Sequence, residues 1–483
     1  MRELGSTGIL SRLSALREGD APTHGGRVLS YVYDTGRQQL DDLAAEAIRI
    51  MQPVNGLDPT TFGSVAVLER EVLGFARELF HGDRDVVGSV TSGGTESCLL
   101  AVKTARDVWR RTHESGRARL VAPVTAHAAF QKAAAYFDVE LDLVPVAADG
   151  QVSAGRLIER LDDDVAIVVV SAPNYPFGSL DPVAEAAAAA QQRGIALHVD
   201  ACVGGLVLPW VDNVPEWDFR VPGVTSLSAD LHKFGYAPKG ASVLLQRGRD
   251  RQRNQFFATT KWPGYPVVNP TMLGSKSAGA LAASWAIIEA LGQDGFAELT
   301  SLSMSSTRTL LDVIGRIEGL RVVGDPVGPL FTVAADDAIE EARRVDPHHW
   351  ADEVRGHGFV LQQQPGHRQA DGVVLPRTTH LTITPVTAQV LGELSEALVT
   401  SADAVRGVAP ATVAADLIAQ LTGFAESGLD SDSAAMILGQ VGIGAQGLPE
   451  RMAPFMALIE ALPAPLTERL LIELLGRLSE PSG

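Results

Sequence analysis

From residue 86 to residue 245, short apolar runs alternate with helical patterns, and this alternation limits the possible fold more than any other feature. Strands are read at 88–91, 120–123, 141–146, 165–171, 195–200, 224–229 and 241–245, with helices at 97–111, 125–137 and 183–193 between them. The run 165–171 is rich in β-branched residues and has no charged side chain, as a strand buried on both faces requires. Repeated strand–helix units predict an α/β fold, a mostly parallel sheet with helices on both faces. At 483 residues the chain has room for more than one domain. The expected division is an N-terminal arm at 1–60, a large α/β domain at 61–290, a small α+β domain at 291–404 and a helical extension at 405–483. The last helix, 466–478, carries an apolar stripe that calls for a partner.

Composition narrows the class. Hydrophobic residues at 46% and charged residues at 20% describe a soluble globular chain. The balance of 40 basic against 58 acidic residues, a net charge of −18, argues against nucleic acid and anionic membrane surfaces as partners. Cys98 and Cys202 imply no disulfide framework, suit a reducing compartment and are read as small apolar packers. The first residues lack the apolar stretch of a signal peptide, and no uncharged run approaches the ~18 residues of a membrane span. A cytoplasmic location is expected.

Four stretches carry candidate chemistry. His232 and Lys233 sit in a turn bounded by Gly235, Pro238 and Gly240, where a strand end could hold an amine nucleophile toward a ligand. Alone, this stretch equally describes a solvated loop lysine. Gly93, Gly94 and Thr95 stand between a strand and a helix start, where free N–H groups attract a phosphate or where the helix is simply capped. Asp200 ends a strand, with His198 on the same side, at the edge where α/β proteins bind ligands; capping of the following turn is the other reading. His127 opens the 125–137 helix. The remaining histidines lack metal-ligand spacing, so no metal is expected.

The order of these features resembles fold-type I pyridoxal-phosphate enzymes, and within them the group II decarboxylase superfamily and its sphingosine-1-phosphate lyase branch. The matching stretches are Thr91 to Ser97, Pro123 to His127, Ser171 to Gly178, His198 to Gly205, Ser226 to Gly240 and Trp262 to Ser275. The resemblance implies the fold-type I transferase fold, pyridoxal 5'-phosphate as cofactor, a small-molecule amine substrate and a homodimer. It implies that Lys233 carries the cofactor, that Asp200 pairs with the pyridine nitrogen and that His127 stacks on the ring. Gly94, Thr95, Asn174 and His232, with Thr271 and Gly274 from a neighbouring subunit, would complete the cofactor site, and Tyr33 and Lys239 would face the substrate.

Some positions depart from the branch pattern. Asp58 stands where the branch has a phosphate-linked histidine, Tyr31 adds bulk at the mouth and Lys276 replaces an arginine. The implied reaction is carbon–carbon cleavage at Cα of an amine, by retro-aldol release of an aldehyde or by decarboxylation. A like charge at Asp58 disfavours a phosphorylated substrate.

Overall fold

The computed structural model describes residues 6–427, 430–440 and 449–481. Three helices precede the sheet: α1 (Ser6–Arg17), α2 (Gln38–Met51) and α3 (Gly63–Leu79). The strands are β1 (Val86–Thr91), β2 (Arg119–Pro123), β3 (Glu140–Val144), β4 (Val165–Ser171), β5 (Ala196–Asp200), β6 (Ser226–Asp230) and β7 (Ser242–Arg247). They form one sheet in the order β1-β7-β6-β5-β4-β2-β3. The pairs from β3 through β6 are parallel, whereas β7 runs antiparallel to both β6 and β1. The expected α/β architecture is thus the observed one.

Helices cover both faces because the strands offer apolar side chains in both directions. Every residue of β4 is buried, as its uninterrupted β-branched sequence requires. α4 (Gly94–Trp109) packs on one side with α5 (Ala129–Phe137), their apolar residues joining those of β2 and β4 in a common core. The Ala-rich helix Val183–Gln192 lies on the larger core, where its small residues permit close approach.

Beyond the sheet a long helix, Gly279–Ile314, breaks at Gly292, whose φ of 54° is a left-handed conformation that glycine adopts readily. It leads to a four-stranded antiparallel sheet built from Leu320–Val322, Leu330–Ala335, Thr378–Thr382 and Gln362–Gln364. This sheet has its own core around Phe331, Trp350, Phe359 and Leu394. The described tail helices form a separate core, with Leu421, Ile437, Phe455 and Leu466. Among the described residues, no helix is long and apolar enough to cross a membrane.

Three segments differ from the sequence reading. α1 was not anticipated, because its residues make no buried stripe. A short hairpin, Phe257–Thr259 with Val267–Asn269, was not anticipated. His127 does not open a helix; it lies in the turn before α5, where its Nδ1 accepts from the Ala129 amide at 3.2 Å.

The carboxyl ends of β4, β5 and β6 meet the start of α4, and backbone approach there is close. A Cβ on Gly204, just after β5, would lie 2.2 Å from the Ala172 carbonyl oxygen. Gly204→Ala is therefore expected to cost about 1–3 kcal/mol and lower the thermal midpoint by several degrees. Gly392→Ala, in the helix Thr387–Val405 with nothing within 4 Å of the new methyl, should leave the midpoint unchanged or raise it. Equal midpoints for the two variants would contradict this account of the strand-end packing.

Candidate active site

A cavity of about 330 Å³ opens where these strand ends converge, lined by Gly94, Thr95, His127, Asp200, His232 and Lys233 among others. Residues spread over the central part of the chain are thus gathered in one place. Lys233 follows β6 in the turn that starts at Asp230, and its Nζ lies 3.0 Å from Asp230 Oδ2. Burial would lower the Lys233 ammonium, but Asp230 outweighs it and pushes the ammonium well above its ordinary range. The other Asp230 oxygen, Oδ1, is buried and has no hydrogen-bond partner among the described residues, and the same holds for Nδ1 of the adjacent His232.

α4 begins against this pair. Its N-cap, Gly93, has φ 152° and ψ 170°, and no side chain caps the helix. A Cβ on Gly94 would meet both Asp230 carboxylate oxygens at 2.8 and 2.9 Å and the Cys202 sulfur at 2.9 Å, so only glycine fits. Uncapped N–H groups and the positive end of the helix dipole make this a site for an anion.

Asp200 is buried at the end of β5, where its Oδ1 accepts from the Cys202 amide at 3.0 Å. Burial alone would raise its carboxyl, but His127, the Cys202 side chain and Lys233 together hold it below the ordinary range, so it is ionised at neutral pH. His198 beneath it bonds Ser226 Oγ at 2.9 Å and Ser228 Oγ at 3.1 Å, and burial lowers it to about 4, leaving a neutral ring that fixes the strand end.

On the arm side, the Tyr33 ring packs edge-on against Phe234 at 5.1 Å, with Lys239 Nζ 5.0 Å from its centre. Desolvation, partly opposed by Lys233, raises the Tyr33 hydroxyl to about 12, so it keeps its proton. Lys239 Nζ donates to the carbonyls of Tyr31 at 3.0 Å and His232 at 3.2 Å, and burial together with Lys233 lowers its ammonium.

Asn174, Thr271 and Gly274 do not line the cavity of their own chain; for Thr271 and Gly274 the expected contact is with a neighbouring subunit's cofactor. Asn174 does not line the cavity; its buried amide accepts from the Phe177 N–H at 3.1 Å and donates to the Gly150 carbonyl at 3.4 Å, bracing the loop after β4. Thr271 bonds within its own loop to Asn269 and Leu273, and neither it nor Gly274 reaches the cavity of the same chain. Asp58 is also not at the cavity: it accepts from the amides and hydroxyls of Thr60 and Thr61 and braces the turn before α3.

Other contributors were not anticipated. Asp230 stands at a strand end three residues before the lysine, a signal as strong as that of Asp200. Tyr175 lines the cavity, and its hydroxyl donates to Gln362 Oε1 at 2.6 Å, while Gln362 Nε2 donates to the Tyr31 hydroxyl at 2.6 Å. This bridge links the segment before α2, the small antiparallel sheet and the loop after β4. Nothing in the local sequence around Gln362 announces it.

A cationic lysine, an ionised carboxylate, an uncapped helix start walled by Gly94 and two partnerless polar atoms together fit a phosphorylated heteroaromatic aldehyde. The comparisons agree. Residues 40–329 match the pyridoxal-dependent decarboxylase conserved domain, and residues 400–477 match a C-terminal HTH domain of pyridoxal-dependent enzymes. The chain is 38% identical over 309 residues to a sphingosine-1-phosphate lyase of Dictyostelium discoideum, covering 62% of this chain and 58% of that protein. It is 35% identical over 341 residues to sphingosine-1-phosphate lyase 1 of Mus musculus, covering 69% and 59%. It therefore spans less than two thirds of the length of either relative. A solved structure of a Burkholderia pseudomallei sphingosine-1-phosphate lyase is similar at TM-score 0.77 and 30% identity, covering 89% of this chain and 96% of that one. A Lactobacillus brevis glutamate decarboxylase shares the fold at TM-score 0.72 and 19% identity, covering 85% and 94%. With the conserved domain matched across residues 40–329 of 483, the chain belongs to the pyridoxal-dependent decarboxylase family of pyridoxal-phosphate-dependent enzymes.

Proposed function

We propose that the chain is a pyridoxal-phosphate-dependent carbon–carbon lyase that cleaves an amine substrate at Cα by retro-aldol chemistry and releases an aldehyde. The observation that carries this reading is the meeting of Lys233, Asp200, His127 and the uncapped start of α4 in one cavity. The similarity to sphingosine-1-phosphate lyases supports the reaction type. In this reading Lys233 holds the cofactor, Asp200 faces its ring nitrogen, His127 packs on its face, and Gly94, Thr95 and His232 receive its phosphate. When bound, the cofactor supplies an electron sink for the bond broken at Cα.

Two neighbours divide the proton work. Tyr33, raised to about 12, keeps its proton and acts as a donor toward the substrate. Lys239, with its ammonium lowered, is the better acceptor for the proton of a β-hydroxyl. Lys233 must shed a proton before its nitrogen can bond covalently, and Asp230, 3.0 Å from its Nζ, holds that proton in place.

The mouth favours a short, non-phosphorylated amino alcohol or amino acid. In this reading the cavity of about 330 Å³ holds both cofactor and substrate, and Tyr175 on its wall is tied through Gln362 to Tyr31. That restriction also favours a second reading, decarboxylation of an amino acid. The apolar side chains exposed on α1 and on the hairpin at Phe257 and Val268 support a homodimer, in which Thr271 and Gly274 beside that hairpin would serve a neighbouring cofactor site. The free cysteines suit a cytoplasmic setting, and the division at residues 60, 290 and 404 is proposed for the domains.

Borohydride reduction of the purified protein should fix the cofactor to the Lys233 peptide, and Lys233→Ala should lose that adduct. Across a panel of amino alcohols and amino acids, aldehyde without carbon dioxide is expected. Carbon dioxide without aldehyde selects decarboxylation, and neither product from any substrate overturns both readings.

The Asp230 pairing has a pH consequence. Because Asp230 raises the Lys233 ammonium, the neutral amine forms only at higher pH in the parent. Asp230→Asn should thus move the midpoint of borohydride-trappable loading to lower pH. A midpoint that stays or rises would show that Asp230 does not set the lysine's charge.

Tyr31→Ala removes one end of the mouth bridge. Loss of a hydrogen bond of about 1 kcal/mol and of the ring's bulk should raise kcat/KM for long-chain amines roughly 5-fold relative to short ones. An unchanged chain-length profile would place specificity elsewhere.

A further inference from the structure

One buried acid stands outside the cavity lining and has no part in the roles given above. Asp181 is 2% exposed and lies at the end of the loop that follows β4. It grips the start of that loop twice. Its amide donates to the Ser171 carbonyl at 3.1 Å, and its Oδ2 accepts from the Ser171 amide at 2.7 Å. The loop closed in this way carries Pro173 and Tyr175, both in the cavity wall. Within it the Asn174 backbone amide donates to the Ser179 carbonyl and the Gly178 amide to the Asn174 carbonyl, each at 2.9 Å. The second carboxyl oxygen, Asp181 Oδ1, is buried and has no hydrogen-bond partner among the described residues. Ser171 is also the register partner of Asp200 on β5, so two buried acids are neighbours across one strand pairing.

We propose that Asp181 is a positioning residue that works in its protonated, uncharged form, clamping the loop that bears Pro173 and Tyr175 and sparing Asp200 a like charge beside it. A buried carboxylate with a bare oxygen is costly, whereas the neutral acid places no charge there. Burial pushes the Asp181 carboxyl up to about 7 against the Ser171 amide and the Asn174 side chain, and Asp200 adds to the rise. Asp200 is the charged side chain that acts on it; no lysine, arginine or histidine among the described residues does. Burial acts on Asp200 as well, but His127, the Cys202 side chain and Lys233 keep that acid ionised. The two neighbours thus part, one charged and one neutral. The benefit to Asp200 rests on the cofactor reading, in which that carboxylate pairs with the ring nitrogen.

The clamp weakens as pH rises. With the loop open to water, Asp181 releases its proton in the ordinary carboxylate range near ~4. With the loop closed it keeps the proton up to about 7. Its contribution is therefore complete below ~4 and is lost as pH climbs through about 7.

Hydrogen exchange of the Asn174 and Gly178 amides in the full-length holoenzyme, corrected for the intrinsic rate of each amide, reads the opening of this loop. In the parent, opening should rise at least about 10-fold between roughly pH 5 and roughly pH 7 and then level off. Asp181→Asn keeps the size of the acid and cannot ionise, so its profile should be flat, with the circular dichroism of the parent. Asp181→Ala, which deprives the Ser171 amide of its acceptor, should open about 5-fold more at every pH than Asp181→Asn. In the infrared, a protonated-carboxyl band should lose intensity in the parent as pH passes about 7, and Asp181→Asn should lack that change. A flat parent profile, an equal rise in Asp181→Asn, or an infrared change that survives the substitution overturns the proposal. A chain that bound no cofactor would defeat the proposed function yet still show these signals, so the two readings fail separately.

Discussion

The charge on Lys233 dictates much of what surrounds it. Lys233 and Asp230 lie 3.0 Å apart, with the Asp230 side chain only 2% exposed, so each offsets the desolvation of the other. Removing one member of such a buried pair typically costs about 3–5 kcal/mol, because the remaining charge has no partner. The pair also constrains its neighbours. The Asp230 carboxylate occupies the space where a side chain at residue 94 would sit, so the chain passes there as glycine, and α4 can start only where it does. That start turns backbone N–H groups and the positive end of the helix toward the carboxylate and the cavity. A strand end, a glycine turn and a helix origin are thus fixed by one ion pair.

The sheet was largely legible in the sequence because its signal is local. An apolar, β-branched run such as Val165–Ser171 announces a two-sided buried strand, and the intervening periodic segments announce the covering helices. The order of the strands is not local. β7 enters antiparallel between β6 and β1, a placement that depends on long-range pairing of Leu227 with Leu245 and of Ser89 with Leu244. Candidate site residues were legible where a strand end or a glycine turn marked them, as with Asp200, Lys233 and Gly94. Asn174 misled because a polar residue after a strand looks the same whether it faces a ligand or braces a loop. Gln362 and Tyr31 are 331 residues apart, and only the folded chain brings them into contact.

Asp58 shows how a charge read in isolation can mislead. Its position in the branch pattern suggested a negative group facing the substrate, and hence a repulsion. In the structure its carboxylate is held well below the ordinary range, first by the hydroxyls of Thr60 and Thr61 and then by their amides. A carboxylate satisfied in this way stabilises its own turn and points to no ligand. The groups linked beside the cavity are instead neutral, the Tyr175 hydroxyl, the Gln362 amide and the Tyr31 hydroxyl.

The tail, far from the cavity in sequence, connects physically to those linked groups. Asp352 Oδ1 accepts from the Met452 amide at 2.9 Å and Oδ2 from the Ala453 amide at 3.0 Å, which caps the helix Ala453–Ala461. The same Asp352 Oδ1 accepts from Gln363 Nε2 at 2.8 Å, and Gln363 sits beside Gln362 in the strand Gln362–Gln364. Arg377 adds a second tie, bonding Asp346 at 3.3 Å and pairing with Glu460 of the tail helix. Because these contacts are buried or partly buried, they hold the strand more firmly than exposed ion pairs would. Gln362, which links Tyr175 on the cavity wall to Tyr31, is therefore held in a strand whose other face is fastened to the tail, and the tail's described helices add rigidity to that link.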